Sequence, residues 1–202
     1  MPTTLPLFPL KTVLFPGRLL PLKVFEQRYI DMTKACLTDE QPFGVCLLTR
    51  GEEVAQRDRA GTRESIDFAL IGTQARIVSW DMPRLGILHL KTEGGARFQV
   101  QSSRTADDGL VVGQVTLLAP EPPVGLPEAF ASLAQLLELM IKRAGPENFS
   151  PHLALDDASW VGYRLAELLP LPLAIKQSML EINDSIVRLE VLAQFLKQHG
   201  LV

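Results

Sequence analysis

Four prolines (Pro6, Pro9, Pro16 and Pro21) punctuate a run from Leu5 to Val24 that is otherwise mostly apolar. Proline fixes φ and cannot donate to a strand ladder, so this stretch can only be edge strand, strand start or bend. The character changes at Glu26. Phe25, Tyr29, Met32 and Cys36 recur at helical steps and predict one apolar stripe on a helix reaching about Leu37.

Short apolar runs follow. Pro42–Thr49 reads as a buried strand, and the polar, charge-mixed stretch from Gly51 to Asp67 as a long mobile loop. Ile71, Thr73, Ala75 and Ile77 alternate with Gln74 and Arg76, Leu88 and Leu90 with His89 and Lys91, and Phe98 and Val100 with Arg97 and Gln99. Glu93-Gly94-Gly95 is read as a hairpin turn whose glycines take positive φ, and Asp107-Asp108-Gly109 as a second turn. Antiparallel strands at this spacing predict a closed or nearly closed β-barrel.

Ala119–Gly125, with three prolines, is a linker by composition. Beyond it the period is helical. Pro127 suits a first helical position, and Leu133, Leu137 and Ile141 form a stripe that ends before Gly145-Pro146. Further helices are predicted over Asp157–Leu169, from Pro172 to about Ile182, and over Asp184–His199. Four helices of modest length make a small bundle.

Charge and cysteine content exclude several classes. Residues 1–120 carry 14 basic and 13 acidic side chains and residues 121–202 carry 6 and 10, so neither half has the basic excess of a nucleic-acid binder. Cys36 and Cys46 lie in apolar stretches and read as reduced core thiols. The N-terminal run lacks a basic start and holds Lys11 and prolines, unlike a secretory signal, and no apolar run reaches the roughly 18 residues of a membrane span. A cytoplasmic chain without nucleic-acid or membrane partners is expected.

Particular segments carry a family resemblance. Leu5-Pro6-Leu7, Phe15-Pro16-Gly17, Pro21-Leu22 and Phe25-Glu26-Gln27-Arg28-Tyr29 occur in that order. Phe43-Gly44-Val45, Gly72–Ile77 and Gly95-Ala96-Arg97-Phe98 follow, then Lys176-Gln177, Leu180-Glu181 and Arg188-Leu189 in the helices. Through these segments the chain resembles the N-terminal domain family of Lon protease. The resemblance implies an α+β fold: a PUA-like antiparallel β-barrel with one helix over residues 1–120, then a four-helix bundle over 121–202. It also implies a role, recognition of unfolded or tagged polypeptide on behalf of a protease or chaperone. An ATPase needs a Gly-Lys-Ser/Thr loop to cradle phosphates, and no Gly-Lys dipeptide occurs here. Nor do residues remain for a Ser-Lys peptidase domain. The chain reads as the recognition module alone, not an enzyme, with no cofactor.

Glu26, Arg28, Tyr29, Trp80 and Arg97 are the candidate peptide-binding residues, with a groove between barrel and bundle as the expected site. Each also has a structural reading. Glu26 complements a helix N-terminus, Arg28 ties that helix to the barrel, and Tyr29 packs in the core. Arg97 suits a buried ion pair with a carboxylate such as Glu26. Trp80, before Asp81-Met82-Pro83, is expected exposed at a strand end, whereas Trp160 sits on an amphipathic helix and packs inward. The prolyl N-terminal edge, rimmed by the 51–67 loop, is a second place where a guest strand could pair. His89, His152 and His199 are scattered and show no metal-ligand spacing. The alternatives are a hydrolase using Glu26, Arg28, His89 or loop carboxylates, an RNA-binding module and a small-molecule sensor.

Overall fold

Two prolines lie inside the first strand, β1 (Thr3–Leu10), which is nevertheless paired on both sides. In the structure, a computed structural model describing residues 2–53, 66–145, 149 and 153–200, the first half of β1 runs antiparallel to β7 (Val111–Leu117), from Thr3↔Val115 to Leu7↔Val111. Its second half runs parallel to β3 (Phe43–Arg50), from Leu7↔Gly44 to Leu10↔Leu47. The stretch expected as an edge is therefore the strand that closes a ring of β1, β7, β6 (Ile87–Thr105), β5 (Ile71–Arg84) and β3. An antiparallel barrel is the sequence expectation; the ring is mostly antiparallel, but its closing pair is parallel. Parallel neighbours need a crossover, supplied here by β2 (Leu19–Val24) and α1 (Gln27–Thr38). β2 pairs with β6 outside the ring, and the short β4 (Asp67–Phe68) pairs with β3.

Both faces of β1 are buried, which its two-residue period explains. Phe8 and Leu10 join α1 residues Tyr29, Ile30 and Met32 and strand residues Val24, Phe43, Leu88 and Leu90 in one cluster. Leu5 and Leu7 join Cys46, Phe98, Val100, Val111 and Val115 in another.

The expected turn at Glu93-Gly94-Gly95 does not exist, because β6 runs straight through it. A Cβ at Gly94 would lie 2.2 Å from the Phe15 carbonyl oxygen. The glycine admits a close backbone approach: Gly17 N–H donates to the Gly94 carbonyl at 2.7 Å, and Gly94 N–H to the Arg18 carbonyl at 2.9 Å. The Phe15–Gly17 turn is thus fastened across β6. The β5–β6 turn is instead Leu85-Gly86, where Gly86 has φ +81°. The predicted turn at Asp107–Gly109 is present, with Ala106 N–H donating to Leu110. Most of the predicted 51–67 loop lies outside the described residues.

The chain divides into two compact units, Met1–Ala119 and Pro120–Val202. In the second, a single 3-10 turn (Glu128–Phe130) leads into α2 (Ala131–Ala144), followed by α3 (Ala158–Leu168), α4 (Leu173–Glu181) and α5 (Ser185–Gln198). Asp157 caps α3 by accepting from Trp160 N–H, and Asp184 caps α5 by accepting from Ile186 and Val187. Leu133, Leu137, Ile141, Val161, Leu165, Leu189, Leu192 and Leu196 are buried.

Within this unit the proline-rich linker is clamped rather than free. Arg188 is fully buried and donates both to the Glu121 carboxylate and to the carbonyl of Met179 at 2.9 Å. Its guanidinium lies 3.9 Å from the Tyr163 ring centroid. Glu121 also accepts from the Ser159 and Tyr163 hydroxyls.

Candidate functional site

Phe25 is the last residue before the α1 N-cap, Glu26, which is extended at φ −79° and ψ 135°. The helical stripe therefore stops short of it: Tyr29, Met32 and Cys36 are buried, while Phe25 is 51% exposed. It stands at the rim of a cleft of about 170 Å³ between β2, α1 and the end of β1. Phe8, Leu10, Leu22, Val24 and Tyr29 form apolar walls, and Lys23, Glu26 and Glu53 bring charge to it. Pro21 also lines it.

The floor is rigid. The Tyr29 ring stacks on Phe8 with centroids 3.8 Å apart and planes 18° from parallel. Burial pushes the Tyr29 phenol up to about 12, against the opposing charge of Arg28. Arg28 lies over the same ring at 4.4 Å, donates to the Gly109 carbonyl at 2.8 Å and pairs with Glu26 at 3.0 Å. Its guanidinium thus joins α1 to the turn between β6 and β7. Glu53 accepts from the Lys11 backbone N–H, and Glu52 pairs with the Lys11 ammonium at 2.6 Å, so the chain leaving β3 is tied back to β1.

Of the residues singled out from sequence, Glu26 and Tyr29 line this cleft, and Arg28 braces it. Arg97 is elsewhere, buried in β6 opposite Thr73. Trp80 is 54% exposed, but it lies within β5 rather than at its end, because the strand continues through Pro83 to Arg84. Phe8, Leu10 and Leu22 were not singled out. Their apolar character is visible in sequence, but their convergence depends on the β1–β3 and β2–β6 registers.

Burial pushes the Cys36 thiol up to about 11 and Cys46 to about 12, which makes both poor nucleophiles. Among the described residues no cluster of three His, Cys, Asp or Glu side chains could hold a metal ion. Nor, among them, is any helix long and apolar enough to cross a membrane.

Comparison with known proteins agrees with this architecture. A crystal structure of a Lon N-terminal domain protein from Xanthomonas campestris is 40% identical, with a TM-score of 0.77 over 95% of this chain and 98% of that one. The N-terminal domain of a Mycobacterium avium complex Lon protease, 20% identical with a TM-score of 0.63, shares the fold. Lon protease of Cytophaga hutchinsonii is 26% identical over 96% of this chain, and that of Anaeromyxobacter dehalogenans 37% over 50%. The chain spans only 24% and 11% of those two relatives. The family model of the ATP-dependent protease La (Lon) substrate-binding domain matches residues 4–198. With that match over nearly its full length, the chain belongs to the Lon substrate-binding domain family.

Proposed function

We propose that this chain binds unfolded or tagged polypeptide in the cleft between β2 and α1, without turning it over. The observation that carries this reading is Phe25, a large aromatic side chain half exposed at the mouth of an apolar cleft with a braced floor. Exposed aromatic anchors over rigid apolar walls are the usual source of affinity in such interfaces, with charged rims adding orientation. Lys23, Glu26 and Glu53 form that rim. Family membership supports a non-catalytic role in substrate recognition. The closed strand ring is compatible with a PUA-like barrel. A cytoplasmic setting and service to a protease or chaperone are part of the same proposal.

The test is capture of a reduced, alkylated globular protein by the purified chain. Phe25→Ser combined with Leu22→Ser should weaken capture at least tenfold, the effect of removing about 1.4 kcal/mol of apolar contact. The Phe25→Ser single variant should weaken capture in the same direction with a thermal transition close to wild type, because that side chain is half exposed. Leu22, by contrast, packs against the core, and its loss lowers the transition. Undiminished capture by the double variant would remove the cleft from the account. Hydrolysis of the client by homogeneous protein would favour the rival enzymatic reading.

A further inference from the structure

The β5–β6 hairpin extends beyond the ring and, with β2 along its other side, makes a three-stranded ribbon. Register fixes which side chains share a face, since residues directly opposite point the same way. One face carries the rows Leu20–Thr92–Ile77 and Leu22–Leu90–Trp80. The other carries Pro21–Lys91–Ser79 and Lys23–His89–Asp81. Strict alternation would put Ile77 and Trp80 on opposite faces. The register shift between Ile77 and Ser79 leaves Val78 as an extra residue and turns Trp80 onto the apolar face.

β5 is paired with β3 only from Thr73 to Ala75. Among the described residues no strand lies along its outer side from Arg76 onward. At the far end the platform closes itself, because Met82 N–H is taken by the Asp81 carboxylate at 2.8 Å and Pro83 has no N–H. A short edge therefore remains, Ile77 to Asp81, with Val78 and Trp80 exposed along it.

We infer that this edge is a second polypeptide site, where a short extended segment adds as a strand beside β5. It takes alternating residues: apolar side chains beside Ile77 and Trp80, and a basic side chain beside Asp81. Two observations select such a partner. Leu22, which lines the cleft already assigned to polypeptide, lies in the same cross-strand row as exposed Trp80, with buried Leu90 between them. Asp81 is an exposed carboxylate on the polar face, and an opposite charge across a strand pair is favourable. The inference rests on the reading above only in taking the partner to be polypeptide.

The test uses the full chain and a fluorescent ten-residue peptide that alternates Val or Leu with Thr and has one central Lys. A twin peptide methylated on alternate backbone nitrogens serves as control. Fluorescence anisotropy should show binding of the first and at least tenfold weaker binding of the methylated twin. Trp80→Lys and Val78→Lys should each weaken binding at least tenfold, while thermal unfolding stays unchanged. Asp81→Asn should weaken the Lys peptide more than a Lys→Thr peptide. Equal binding of both twins, or no effect of the lysine variants, overturns strand addition. Self-association of the chain that Trp80→Lys abolishes would give the edge to a second copy and also overturn it. Capture of unfolded protein lost by Phe25→Ser with Leu22→Ser but insensitive to Trp80→Lys would sink this site and leave the cleft reading intact. The reverse pattern would sink the cleft and leave the edge.

Discussion

Gly94 and Glu121 show how much single positions decide. At Gly94 the constraint is space: a methyl group would sit 2.2 Å from the Phe15 carbonyl, so the turn crossing β6 must move. At Gly86 the constraint is φ alone, since nothing lies within 4 Å. Gly94→Ala should therefore cost about 3 kcal/mol or more in urea unfolding, and Gly86→Ala only about 1–2 kcal/mol. Glu121 is the other kind of case. Burial pushes its carboxyl up, but hydrogen bonds from Arg188, Tyr163 and Ser159 and the Arg188 charge outweigh this and hold it below the ordinary 4.5. A carboxyl lowered on folding stabilises above that ordinary value, and its contribution fades as pH falls toward the folded one. Glu121→Ala leaves Arg188 buried without its carboxylate and should cost about 3–5 kcal/mol at neutral pH. The variant should also lose less stability than wild type when acidified below about 4.5.

At the scale of elements, β1 matters more than its prolines suggest. It is hydrogen-bonded to β7 along one half and to β3 along the other, so removing it would expose two strand edges at once. Deletion of residues 2–10 should yield aggregated material in size-exclusion chromatography, with loss of the thermal transition of the strand unit. The helix α1 was readable from spacing within a residue or so at each end, because its stripe faces a continuous apolar cluster. The β5–β6 hairpin was not. Two residue patterns misled: adjacent glycines that read as a turn but serve a backbone crossing, and Asp81-Met82-Pro83, which reads as a strand end but continues β5.

Each unit contains one tryptophan, Trp80 in the first and Trp160 in the second. In a Trp80→Phe protein, Trp160 fluorescence should report acid loosening of the helical unit as the Glu121 carboxylate is protonated. Adding Glu121→Ala should flatten that pH response. Sequence alone was enough for the change from two-residue to helical period near residue 120, the four C-terminal helices and the family, because these depend on local periodicity and linear order. Of the residues lining the proposed cleft, sequence singles out Glu26 and Tyr29, while Phe25 reads as part of a buried stripe and Phe8 as an ordinary strand residue. Which strand closes the ring, which face Trp80 occupies and what surrounds Phe25 depend on pairing between residues distant in the chain. Tertiary structure decided those, because a one-residue change of register turns every following side chain to the opposite face of the sheet.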